Sequence, residues 1–148
     1  MAGTAALSKI LNVRELEKKN AEKDYRVSMD AFEHAATQLY NVLKKKESAE
    51  YAYETYLSEA TSIDVIKEQV SYIEVLSKQI IKLQRDVQFA RNAMEIKQDQ
   101  LAEAHIEVKK FETIIEHRIE EHQEQVKREE NMMMDEISMQ QYLSYKNR

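Results

Sequence analysis

The chain contains no proline, no cysteine and no tryptophan, and Gly3 is its single glycine. Each absence removes a class of structure. Without proline, and with glycine confined to position 3, the residues that punctuate turns and break helices are almost missing from end to end. Without cysteine there is neither a disulfide framework nor a thiolate zinc site, a composition that fits a reducing compartment. One glycine cannot build a P-loop or a dinucleotide fingerprint, which cradle phosphate with several glycines at fixed spacing. No apolar run approaches the ~20 residues needed to span a bilayer. Met1 to Leu7 lacks the charged stretch and long apolar core of a secretory signal, so a cytoplasmic location is expected.

What is present is charge and helix-forming side chains. One third of the residues are charged, 43% are hydrophobic, and the formal net charge is −5. Lysine and glutamate are interleaved, with no concentrated basic face of the kind a phosphate backbone requires, so nucleic acid is not an expected partner. The length predicts one structural unit, residues 1–148, elongated and with little globular core.

Apolar spacing carries most of the information. Between 25 and 57, alternating steps of four and three land on Tyr25, Met29, Phe32, Ala36, Leu39, Leu43, Lys46, Glu50, Tyr53 and Leu57, apolar except for the adjacent Lys46 and Glu50. From 73 the same stepping gives Ile73, Leu76, Ile80, Leu83, Val87, Ala90, Met94, Lys97, Leu101, Ala104, Val108, Phe111 and Ile115, where only Lys97 interrupts. A repeat of 3.5 residues held this long marks left-handed supercoiled helices. Carried forward from Leu57, the first register meets Ala60, Asp64, Lys67, Ser71, Glu74 and Lys78, which no hydrophobic seam tolerates. The phase therefore breaks between about 58 and 72.

Ser58, Thr61 and Ser62 cluster at that break. Thr61 or Ser62 can cap a new helix, and Asp64 puts negative charge in its first turn. The reading is all-α: two long helices in an antiparallel coiled-coil hairpin. Helix one covers about 4–58, a turn without glycine about 59–62, and a longer helix two about 63–142. A register shift in one unbroken helix, paired in a parallel dimer, is the competing account. Folding back pairs positions whose numbers add to about 121, so residues beyond about 118 overhang the first helix. Ile119, Val126, Met133 and Ile137 continue the stripe there, shifted by one step after Ile115. The thinnest part is 12–24, where charged residues leave Leu16 almost alone.

Catalytic chemistry finds no footing. His117 and His122 lie among glutamates, but five residues turn a helix through roughly 500°, so the two rings diverge. Neither the two-His zinc motif nor a pair of Glu-x-x-His segments is present, and a solvated polar face is the simpler reading. No cofactor and no metal are expected, and no enzymatic activity. Two other features point to recognition. Tyr51, Tyr53 and Tyr56 precede the turn and Tyr72 follows it; Tyr53 falls in the stepped register, while Tyr51, Tyr56 and Tyr72 miss it. Exposed aromatics near a helical tip bury large area with little rotamer loss. Met132, Met133 and Met134 cover most of a helix circumference and suit adaptable contacts.

Gln38-Leu39, then Tyr72-Ile73 with Leu76, then Ile106-Glu107-Val108-Lys109-Lys110-Phe111-Glu112, and finally Met134-Asp135-Glu136-Ile137-Ser138 occur in an order and spacing that span the chain. In this the sequence resembles the FliJ family of flagellar export proteins and, more distantly, the YscO-type stalk proteins of type III secretion. The resemblance implies a component of the export apparatus that stands at the inner face of the cell membrane, peripheral to it through partners only. It implies three partners: the hexameric export ATPase, whose assembly such proteins promote; the cytoplasmic domain of the export gate; and export chaperones. Carried over by position, the gate-binding surface comprises Gln38, Leu39, Val42, Tyr72 and Leu76. The stripe departs from some relatives at Gln79 and Leu83. The ATPase-binding end falls to the N-terminal residues and the C-terminal helix, with Met133, Met134 and Ile137 as its candidates. A general coiled-coil chaperone, or a parallel spacer dimer, is the alternative function.

Overall fold

The computed structural model describes residues 3–147, which form two α-helices and, among the described residues, no strand. Helix α1 is Thr4–Ser58 and helix α2 is Ile63–Lys146. The all-α expectation, with the second helix the longer, is what the structure shows. An unbroken helix through Thr61 does not form. Among the described residues, no helix is long and apolar enough to cross a membrane.

The turn does without glycine by a specific device. Thr61 donates its N–H to the Tyr56 carbonyl at 3.1 Å, and Ala60 donates to Leu57 at 3.4 Å. This crossed pair is the Schellman arrangement, which satisfies carbonyls orphaned at a helix end. It requires a left-handed residue, and Ala60 takes that place at φ 52°. The Ser62 carbonyl then accepts the Ile66 N–H at 3.2 Å, which makes Ser62 the N-cap of α2. Asp64 lies in the first turn of α2, complementing the helix dipole. A methyl group at a left-handed residue costs about 1–2 kcal/mol, partly offset by the larger unfolded-state freedom of glycine. Ala60→Gly is therefore expected to stabilise the fold by about 1 kcal/mol, read as a rise of about 2–4 °C in a circular-dichroism melt. A fall in Tm would contradict the strain argument.

The chain divides into two compact units. The first, Asn20–Ala102, contains the turn. Its helices run antiparallel: the Gln69 side-chain amide donates to the Ala49 carbonyl at 2.9 Å, and further from the turn the Arg91 guanidinium lies 5.6 Å from the centroid of the Phe32 ring. The buried residues are Ala35, Ala49, Leu76 and Ile80. On α2, the stepped positions from Ile73 to Leu101 are all buried or half-buried.

On α1 the register differs from the stepped one. The residues withdrawn from solvent follow Tyr25, Ser28, Phe32, Ala35, Leu39, Val42, Lys46, Ala49, Tyr53 and Tyr56. Toward the turn every second position is thus displaced by one, so that Val42, Ala49 and Tyr56 replace Leu43, Glu50 and Leu57, while further from it Ser28 and Ala35 share burial with the half-buried Met29 and Ala36. Leu43 and Leu57 are 43% and 51% exposed, whereas Ala49 is 4% exposed. The physical reason is volume. In this unit α2 contributes the large aliphatics Leu76 and Ile80 to the core and α1 contributes two alanines, so small residues on one side admit large ones from the other. Glu50, an apparent defect in the seam, is an outside residue 3.7 Å from Lys46.

The second unit joins Met1–Lys19 to Glu103–Arg148. Val108 is its buried residue, at 4% exposure. Gly3 precedes α1 at φ 101°, and its carbonyl accepts the Leu7 N–H. A Cβ at Gly3 would lie 2.8 Å from Arg118 Nη1. Leu16, almost alone among charged residues, is 60% exposed, and the inward positions are Leu7, Leu11, Arg14 and Lys18. The long stems of Arg14 and Lys18 cover apolar surface while their charged heads reach outward. The Arg14 guanidinium lies 5.8 Å from the Phe111 ring centroid and its Nη1 pairs with Glu17 at 3.0 Å. Its buried Nε makes no hydrogen bond.

Candidate partner-binding surfaces

The five residues that the resemblance assigns to the gate do not share one environment. Gln38 is exposed, and Tyr72 is 46% exposed. Leu39 and Val42 occupy inward register positions and are half-buried. Leu76 is 3% exposed. It belongs to the core of its unit, and it shapes a surface only by holding the helices beneath it. Gln38 and Tyr72 are thus the two of the five that present their side chains to solvent.

Tyr72 opens instead onto a groove that it lines with Lys44, Lys45, Ser48, Tyr56 and Gln69, over a floor of Ala49 and Ala52. Gln38, Leu39, Val42 and Leu76 do not line it. Tyr56, read from the sequence as off the seam, is half-buried at an inward position. Tyr53 is half-buried too, and Tyr51 stands out at 74% exposure beside Lys44, Glu47 and Ser48. The Lys44 ammonium lies 5.0 Å from the Tyr40 ring centroid. Tyr56 and Tyr72 were singled out from the sequence as recognition aromatics, whereas Lys44, Lys45 and Ser48 were not. The available signal was the Lys44-Lys45-Lys46 run ahead of the tyrosines, of which only Lys46 falls in the stepped register.

In the other unit, residues 120–146 of α2 are exposed throughout. From Glu116 to Glu130 this helix is densely charged; from Asn131 to Tyr145 only Asp135 and Glu136 carry charge. Met132, Met133 and Met134 are 69%, 62% and 64% exposed, and Ile137 is 47% exposed. Met133 and Ile137 are four residues apart and Met134 and Ile137 three apart, so all three belong to one side of the helix. Met139, Tyr142, Leu143 and Tyr145 extend the apolar surface around the circumference. Nearer α1, Leu11, Ile115 and Ile119 form an apolar notch rimmed by Glu112, Glu116 and Glu120. His117 Nδ1 lies 4.0 Å from Glu120, both side chains in solvent. Among the described residues, no three metal-ligating groups converge.

Comparison with known proteins bears on what these surfaces meet. A family model described as "Flagellar FliJ protein" matches residues 4–147. A protein of Bacillus subtilis (strain 168) that bears the same description is 33% identical over 143 residues, covering 97% of each chain. No solved structure matches the chain.

Proposed function

The chain belongs to the FliJ family of flagellar proteins, which supports a role related to flagellar export, and from that premise we propose that it is a non-catalytic coupling element of the export apparatus. In this reading it binds the hexameric export ATPase, promotes assembly of the ring, links the ring to the cytoplasmic domain of the export gate, and engages export chaperones. Its location is cytoplasmic, at the flagellar base, reaching the membrane through partners only.

The observation that carries the reading is a helix with too much exposed apolar surface for a molecule that works alone. Monomeric proteins rarely leave a contiguous apolar patch of several hundred Å² in water. The stretch from Met132 to Tyr145 is apolar on several sides and has no cover from α1. Methionine is flexible and polarisable, so a run of three adapts to a partner whose surface is not fixed in advance. Met133, Met134 and Ile137 are accordingly the proposed anchors for the ATPase. For the gate, Gln38 and Tyr72 are the proposed contacts, with Leu39, Val42 and Leu76 setting the spacing of the helices between them.

The test is a purified ATPase of the same organism, assayed with and without this protein. Turnover is expected to rise as the chain is added, with a parallel shift of the ATPase toward hexamer in light scattering. No stimulation, together with no co-purification, would overturn the proposal. A spacer dimer predicts instead that the chain self-associates at micromolar concentration and leaves the ATPase unchanged.

A further inference from the structure

We infer that the groove beside Tyr72 is a docking site for an acidic protein segment that carries large apolar side chains. The inference rests on the proposal that the Tyr72 face meets a protein partner, and it specifies the chemistry of that partner. Charge is the first argument. In a chain of net charge −5, this groove has two lysines in its lining and no carboxylate. Lys44 and Lys45 are exposed and, among the described residues, neither forms an ion pair, while the adjacent Lys46 is held by Glu50 at 3.7 Å. Two ammonium groups at one groove, with no carboxylate in its lining, attract an anionic segment, and they repel a basic one.

Shape and composition supply the second argument. The floor is Ala49 and Ala52, small residues that leave depth between the helices, and Tyr56 and Tyr72 stand at its sides. Aromatic walls over a shallow apolar floor receive a leucine or phenylalanine side chain at little conformational cost to the protein. The Gln69 amide is already donated to the Ala49 carbonyl, so it does not compete for the ligand's backbone. The Lys44 ammonium, placed over the Tyr40 ring, is held at the rim. Nucleic acid would also answer to lysine and tyrosine, but two lysines in an acidic chain offer few phosphate contacts. A peptide carboxylate is the better match.

The experiment uses the full chain and fluorescence anisotropy. The probe is a labelled peptide of about a dozen residues alternating glutamate with leucine and phenylalanine, beside a lysine-for-glutamate control and a single-stranded oligonucleotide. The acidic peptide is expected to bind, and to weaken several-fold as salt rises from roughly 50 to 300 mM. Lys44→Glu with Lys45→Glu should weaken it at least tenfold and Tyr72→Ala at least threefold, with unchanged helicity. Lys127→Glu with Arg128→Glu, the same charge change at an exposed site in the other unit, should leave it nearly unchanged. Equal loss with that control pair, tighter binding of the lysine peptide or the oligonucleotide, or no binding at all overturns the inference. A pull-down of the gate domain separates the two readings. If the lysine double variant retains that domain at full strength, the groove assignment fails and the gate contact stands. If the unaltered chain binds the peptide in the groove but not the gate domain, the reverse holds.

Discussion

Leu76→Ala is expected to lower the free energy of unfolding by about 2–3 kcal/mol, the lower part of the range for deleting a buried leucine side chain. Leu43→Ala is expected to cost less than about 1 kcal/mol, since its side chain surrenders little area that folding had removed from water. Both residues are leucines on long helices, and the apolar stepping places both in the seam. Their exposures are 3% and 43%, and that difference is what the pair of variants measures. Urea unfolding followed by circular dichroism reports both. Equal losses, or a larger loss at Leu43, would show that α1 packs in the register of Leu43 and Leu57 instead of Val42 and Tyr56. The same logic applies to the alanine opposite in character. Ala49→Leu forces a larger side chain into a site 4% exposed, and overpacking there costs about 1–3 kcal/mol.

The second large effect concerns association. Met133→Glu combined with Ile137→Glu is expected to weaken binding of the export ATPase at least tenfold, about 1.4 kcal/mol, while the melting curve of the free chain stays nearly unchanged. The two halves of that expectation have one cause. Residues 120–147 are exposed, so charges introduced there replace no intramolecular contact. In a complex, the same charges would be desolvated against an apolar partner, which is costly. Titration calorimetry on the ATPase and a thermal scan of the chain together decide it. If binding is unaltered, the proposed ATPase anchors are wrong, and the notch of Leu11, Ile115 and Ile119 becomes the first place to look. If the scan falls by many degrees, the segment has a structural partner within the chain.

These variants also mark how far a one-dimensional reading reaches. Helix α2 was legible almost residue by residue: Ile73, Leu76, Ile80 and each later step to Ile115 are withdrawn from solvent. Val75, Ile81 and Ile114 adjoin seam residues, but the long stepped run interrupted only at Lys97 favours one phase. Helix α1 was ambiguous because its apolar residues come in adjacent couples, Ala35 with Ala36, Val42 with Leu43, Tyr56 with Leu57. Spacing alone does not say which member of a couple turns inward. Packing turns Val42 inward in place of the larger Leu43 but Tyr56 inward in place of the smaller Leu57, and the choice cannot be made without the partner helix.

The candidate surfaces follow the same division. Exposure of the methionine run was foreseeable, since three consecutive residues cannot all face one narrow seam. The groove of Lys44, Lys45, Ser48, Tyr56 and Tyr72 was not, because its lining comes from two helices and its members are separated by the turn. Leu76 shows the converse case, where a residue that matches a recognition motif lies in the core.

By itself, the sequence determined that the chain is helical, where the helices break, and which family it joins. Those properties depend on local propensity, on periodic spacing, and on motifs read in order. Tertiary structure alone decided which member of each apolar couple turns inward, how Ala60 supplies a left-handed turn without glycine, and which lysines and tyrosines line one groove. Such choices rest on volumes and charges brought together across two helices, and no single stretch of chain contains both sides of the contact.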